Sequence, residues 1–400
     1  MFPSSFLSTR RMYAAKNQQP KLAIALLLNS CFIPAANALT NISCAPAPTS
    51  ALVVNVQNTG ATGNGVTDDT AAIQAAINQA AGTGGTVLIP NGTYMINAVT
   101  SLSLMSNMTL SLSAGAILKA IPNNQDNYSI ILIQNASNVN VIGGTVQGDR
   151  DQHLTVTGEY GMGIEILASN TVTLQGITSK NNWGDGFYFG QNSSNITACS
   201  VTANNNRRNG ATLTFVNGVV IENSMFIDSN GLANDSGIDI EPNPGQTVNN
   251  VQILNSEFQN NWYAGIQASF PSLADATTSS ISNLTIQGNT INNNGIIGAY
   301  SAAINLSSQT GVNVLNNIVS NNVQDGILLV NNSTRNNIIG NTVTGSGYTN
   351  PITDFSAGYG ILVQNGSNLN TITHNIVTGN ESGGVVDQVG GNRINSNSIN

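Results

Sequence analysis

"NVQILNSEFQNNWYAGIQASF", residues Asn250 to Phe270 of a 400-residue chain, decides the fold. Val251, Ile253 and, past a turn, Phe258 are apolar with polar residues between them. Two Asn residues interrupt the alternation, a Gly follows, and Ile266 and Ala268 resume it. A period of two turns alternate side chains to opposite faces of a strand. The stretch therefore reads as an alternating strand, an Asn/Ser turn, a second short strand, a polar turn, and a third strand led by Gly.

The same unit recurs along the chain from about residue 130, at roughly 20 to 30 residues, a spacing that signals a solenoid. "TVTLQGITSKNNWGDGFYFG" (171–190) and "GVVIENSMFIDSNGLANDSGIDIEP" (218–242) repeat it, as do "GVNVLNNIVSNNVQDGILLVN" (311–331) and "LNTITHNIVTGNESGGVVD" (369–387). Short strands, polar turns, no helices and Asn at fixed places describe an all-β parallel β-helix. In such a coil, stacked Asn side chains bond one another at the corners, and only the ends expose unpaired edges. Aromatic residues make up 5% of the chain, so the core must be built from Val, Ile, Leu and Ala. Before the repeats, "TDDTAAIQAAINQAAGTGGTVLIPNGTYMI" predicts a helix from Asp69 to Ala81 with an apolar stripe of Ile73, Ala76 and Ile77. Laid over the first coil, that helix caps the open end of the solenoid.

The N-terminus reads as an export signal. Arg10, Arg11, Lys16 and Lys21 precede the apolar run "LAIALLLNSCFIPAANA", and Ala36-Asn37-Ala38 fits small-residue cleavage. The expected plan is a signal over 1–38, a linker over 39–51, and a β-helix over 52–400 whose cap covers about 52–95. Such a protein is secreted, periplasmic or held at the cell surface. Removing the signal leaves seven basic against nineteen acidic residues, a formal charge of −12. That balance argues against nucleic acid or an anionic membrane as partner. Past the N-terminus, no apolar run is long enough to span a bilayer. Cys44 and Cys199 remain, enough for one bridge but not for a disulfide framework.

"NTGATGNGVTDDTAAIQAAINQAAGTGGTVLIPNGTY" (58–94) resembles the opening of the pectate-lyase-superfamily domain shared by rhamnogalacturonase-like, epimerase-like and tailspike β-helices. It also resembles the opening of the mannuronan epimerase catalytic modules. The resemblance implies a right-handed, single-stranded parallel β-helix and a carbohydrate ligand. It does not choose a reaction, because fold does not imply function. The epimerases' Tyr-Gly-Phe-Asp-Pro-His signature falls at "WGDGFYFG", where Tyr188 and Gly190 replace its Asp and His. The polygalacturonase Asp-Asp pair and Arg-Ile-Lys motif are missing from the expected coils.

Charge marks where chemistry would sit. Asp149 to Glu241 holds ten acids and four bases, 14 of the 26 charges expected of the processed chain. Aligning the units on Gly163, Gly186, Gly210, Gly237 and Gly265 gives an outward column of Glu165, Tyr188, Thr212, Asp239 and Gln267. Two residues on, Glu241 also points outward, and Asp185 precedes Gly186. Asp239 and Glu241 attach about 6.5–7 Å apart, and Asp185 and Asp239, two coils apart, lie on the order of 10 Å apart. Carboxyl pairs about 6.5–9.5 Å apart suit an inverting glycosidase. Asp185, Asp239 and Glu241 are therefore the candidate acid/base residues. Glu165, Trp183, Tyr188, Arg207, Arg208 and Gln267 are candidates for sugar binding. Tyr188 and Trp183 would offer rings, and Arg208 a bidentate clamp on a uronate. Phe187 and Phe189 read as core, and His153 as a solvated surface histidine.

The leading expectation is an enzyme that cleaves a polysaccharide, expected to be acidic and uronate-containing, along the coils of residues 150–270. Hydrolysis is preferred to β-elimination because carboxylates outnumber candidate cationic bases. Polyuronate lyase or epimerase chemistry is the alternative, and a non-catalytic polysaccharide-binding or adhesive surface is the alternative of another class. No cofactor is required. The acids are chemically suited to Ca²⁺, but no dedicated calcium loop is present. Oligomeric state is not legible.

Overall fold

The computed structural model describes residues 44, 46, 48–232, 234–296, 301–347 and 358–400. The expected export signal, 1–38, lies outside them. The described residues form three parallel sheets of 13, 13 and 11 strands, which the chain visits in rotation. Ser193–Cys199 lies in the first sheet, Thr202–Asn204 in the second and Ala211–Leu213 in the third. Val216–Glu222 then returns beside Ser193–Cys199, in parallel. Among the described residues, no helix is long and apolar enough to cross a membrane.

Alternation builds the core as columns. Ile196, Val219, Val251 and Leu284 are paired coil upon coil, and all are buried. Phe226 and Phe258 stack with ring centroids 5.3 Å apart. The Gly opening the third strand of each coil is there because backbones pass closely. A Cβ on Gly237 would lie 2.6 Å from the Gly265 carbonyl oxygen and 2.7 Å from the Phe258 ring.

The recurrent Asn-Asn pairs divide two tasks at the corners. The first residue takes the left-handed backbone conformation: φ is 58° at Asn260 and 53° at both Asn293 and Asn321. Asn tolerates that region better than most residues. The second turns inward, so Asn261, Asn294 and Asn322 are buried in a hydrogen-bonded ladder. A second interior ladder runs through Asn289, Asn317, Asn341, Asn375 and Asn397.

The helix spans Thr70–Ala80, one residue shorter at each end than expected. It buries Thr70, Ile73, Ala76, Ile77 and Ala80 and packs on the opening strands Val53–Asn55 and Gly85–Ile89. Asp68 accepts from the Thr70 N–H at 3.0 Å, while buried Asp69 ties down the Thr62 and Gly63 amides. Cys44 and Cys199 form a disulfide.

Candidate active site

The third sheet displays the acids. Its strand register places Glu165, Tyr188, Thr212, Asp239, Gln267 and Asn305 in one column. The column becomes apolar at Leu328 and Leu362. Its neighbour holds Asp185, whose carbonyl accepts from Gly163, and Asn209, whose carbonyl accepts from Gly186.

Outward direction is not exposure. Asp185 and Asp239 are both 0% exposed, whereas Glu241 is half-buried. The two buried acids differ in their partners. Asp185 receives Arg208 Nη1 at 3.0 Å and the Asn209 N–H at 2.9 Å. Burial raises its carboxyl, and the Arg208 charge and the Asn209 bond oppose that rise only in part. Burial alone would lower the Arg208 guanidinium; Asp185, then Asp239, Glu159 and Glu241, outweigh it and raise it. Arg208 Nε also lies 3.8 Å from Glu159.

Neither oxygen of Asp239 has a partner in hydrogen-bonding geometry. Burial first, and the Glu241 charge second, push its pKa well above the ordinary range. Arg208 pulls it back, Asp185 raises it further, and the nearby Asn209 amide lowers it least. Burial raises Glu241 too; Arg208 opposes this, and Asp185 and Glu159 add to it. Two such carboxyls titrate as a pair that shares one proton over the middle of its range.

A stability prediction follows from the sign of this shift. A carboxyl raised on folding stabilises fully below its unfolded pKa, near 4, and that contribution disappears as pH climbs through the folded pKa. Asp239→Asn escapes the loss. Its denaturation midpoint should match wild type near pH 4 and exceed it increasingly as pH rises above that. Urea melts across pH check this, and parallel curves for the two proteins would contradict it.

Glu241 reaches a groove of about 480 Å³ that runs onward across later coils. Asn234, Tyr263, Gln267, Asn305, Asn331 and Asn365 are among its walls. Ser269, Phe270 and Pro271, opening the loop after Ile266–Ala268, close one side. Of the nine residues singled out from sequence, only Glu241 and Gln267 line it. The groove extends well past the coils of residues 150–270. Tyr263, two residues before Gly265, is legible as an aromatic ring in the turn ahead of the third strand; the amides of Asn331 and Asn365 carry no signal in an Asn-rich chain.

The remaining candidates are committed elsewhere. Trp183 is 8% exposed, and its ring packs against two neighbours. His153 stacks on it at 4.2 Å, and the Arg207 guanidinium lies 3.7 Å over the ring. It therefore offers no platform to a sugar. Arg207 also donates to the Gly158 carbonyl at 2.8 Å, which removes it as a clamp. The His153 side chain is buried, not solvated: its Nδ1 lies 3.0 Å from Asp149, which also accepts from the Tyr128 hydroxyl. Glu165 accepts from the Ser129 hydroxyl. Tyr188 stays half-buried, with its hydroxyl 3.1 Å from that of Thr214. Gly190 makes room for its ring, since a Cβ there would fall 2.9 Å from Tyr188 Cε1. Phe187 and Phe189 are core. Among the described residues, no three His, Cys, Asp or Glu side chains gather as a metal cage.

Residues 53–111 match a family model described as rhamnogalacturonase A/epimerase, pectate lyase-like, and residues 233–399 match one for a right-handed β-helix region. A Bacillus subtilis protein, YclG, of uncharacterized function, is 26% identical over 53% of this chain and 42% of its own length. The mannuronan C5-epimerase AlgE5 of Azotobacter vinelandii is 33% identical over 43% of this chain and 19% of its own. The chain thus spans less than half the length of these curated relatives. Three solved structures share the fold. The A-module of A. vinelandii mannuronan C-5 epimerase AlgE4 has a TM-score of 0.61 at 21% identity, covering 80% of this chain and 94% of that one. A Yersinia enterocolitica family 28 exopolygalacturonase has 0.60 at 16%, covering 82% and 72%. PfbA, a surface adhesin of Streptococcus pneumoniae, has 0.59 at 18%, covering 82% and 87%. This chain is a right-handed parallel β-helix whose fold is shared by epimerases, a polygalacturonase and an adhesin.

Proposed function

We propose that this chain is an exported enzyme that hydrolyses glycosidic bonds of a polysaccharide lying in the groove beside Glu241. The observation that carries the reading is the Asp239–Glu241 pair, two carboxyls one pleat repeat apart with Glu241 at the groove wall, both raised by burial and Asp239 further by the Glu241 charge. A carboxyl whose pKa is raised is better suited to carry the proton that a leaving oxygen takes up. Glu241 gives its proton to the glycosidic oxygen as the C–O bond breaks. Water adds to the anomeric carbon, and its released proton returns to the carboxyl pair. Asp239 has no surface and acts through Glu241, as a positioning residue that keeps the shared proton available.

Lyase and epimerase chemistry need a cation free to neutralise a uronate carboxylate. Arg208 faces this pair but is bound to Asp185, which supports hydrolysis instead. The relatives named for epimerase and polygalacturonase activity support a glycan ligand by fold alone. The test incubates purified protein with neutral and acidic polysaccharides, following reducing ends and the ultraviolet absorbance of unsaturated uronates. New reducing ends without that absorbance are expected. Both signals together would identify a lyase, and binding with neither would overturn the enzyme reading in favour of a non-catalytic surface.

A further inference from the structure

We infer that the groove beside Glu241 selects neutral, hydroxyl-rich sugar residues and turns away uronates. The inference rests on reading the groove as a glycan site, but not on which bond is cut.

Charge is the first ground. Among the residues lining the groove, Glu241 is the one charged side chain, and it is acidic. The nearest cation, Arg208, is 9% exposed and held 3.0 Å from Asp185, so it does not offer its donors to a ligand. Behind the wall stand further carboxyls, Asp239 and Asp185, both fully buried. The Asp239–Glu241 pair, sharing one proton, still carries a negative charge that no free cation among the described residues offsets, so a uronate carboxylate brought into this partly desolvated groove is repelled.

Hydrogen-bond polarity is the second ground, and it is independent of net charge. Gln267 is 5% exposed, and its amide nitrogen is spent on Ser269 Oγ at 2.9 Å. Its carbonyl oxygen, Oε1, is buried without a partner in the wall of the groove. A buried acceptor left unpaired is costly and is satisfied only by a donor. A sugar hydroxyl supplies one. A carboxylate has no proton to give and would face an oxygen lone pair, so this position takes a hydroxyl and refuses the carboxylate of a uronate. The Tyr263 and Phe270 rings, both half-buried in the groove, add apolar surface for the C–H face of a neutral pyranose.

The test measures binding of the full chain by calorimetry to neutral β-linked gluco-, manno- and galacto-hexaoses and to hexagalacturonate and hexamannuronate, with reducing ends followed in the same samples. At least one neutral hexaose is expected to bind, and both uronates to bind tenfold or more weakly at low salt. Gln267→Ala should weaken the neutral hexaose about tenfold. Gln267→Arg should narrow or reverse the preference by supplying the missing cation, and the far-ultraviolet circular dichroism of both variants reports whether the coil persists. Equal or tighter uronate binding by the wild type overturns the inference, whether or not the uronate is cleaved. Neutral binding without new reducing ends overturns the hydrolysis reading and leaves this inference standing. Failure of every oligosaccharide to bind overturns both.

Discussion

Glu241→Gln is expected to lower kcat by about 10²–10⁴-fold, the range carried by a positioned general acid, while KM changes little. The substitution keeps the shape and the hydrogen-bonding capacity of the side chain at the groove wall and removes only its transferable proton. An effect confined to kcat identifies an interaction made in the transition state, whereas a rise in KM alone would assign Glu241 to uniform binding. Asp239 supplies the companion measurement. Because Asp239 is fully buried and acts through Glu241, Asp239→Asn should move the alkaline limb of the rate profile to lower pH. With the like charge removed, Glu241 titrates alone and gives up its proton earlier. A purely structural role for Asp239 would scale the profile without moving that limb. Unchanged kcat in Glu241→Gln, or an unmoved limb in Asp239→Asn, refutes the assignment.

The fold is legible in the repeats because each rule it obeys is local. Period-two alternation says which side of the sheet a side chain leaves. The Gly at the head of the third strand has a steric cause, visible at Gly237, so aligning on it recovers the register from Glu165 to Gln267 residue by residue. What lies above the sheet is a different matter. Asp185 and Asp239 leave the strand outward and are still fully buried, Asp185 in a direct pair with Arg208. Trp183 and Arg207 sit in the right turns for a sugar platform and clamp but spend their faces on each other and on His153. Those contacts join residues 153, 183 and 207 through turns of unequal length, which no repeat alignment encodes. The groove was hidden for the same reason: the loop from Ser269 onward departs from the repeat, and its position sets where open space remains.

Asn317→Ala is expected to destabilise the coil by about 4–6 kcal/mol. Asn317 is 1% exposed. Its side-chain oxygen accepts the Asn289 N–H at 2.9 Å and the Asn289 amide at 3.0 Å. Its own amide donates to the Ile286 carbonyl at 3.0 Å and to Asn341 at 2.9 Å. Alanine leaves the Asn289 N–H buried with no acceptor, a penalty of about 1–3 kcal/mol, and the other lost bonds add about 1 kcal/mol each. The outer Asn337, whose amide donates to Asn313 at 2.8 Å, is the control. It is only half-buried, so water replaces the lost partner and Asn337→Ala should cost under about 1 kcal/mol. In a solenoid each coil contacts only its neighbours, so the damage should be local before it is global. Hydrogen exchange should find the Asn289 amide and the flanking strands Asn313–Leu315 and Asn337–Ile339 opening first, with coils near the capping helix protected as in wild type. Equal costs for the inner and outer substitutions, or unaltered protection at Asn289, would mean that the interior Asn ladder is not what binds one coil to the next.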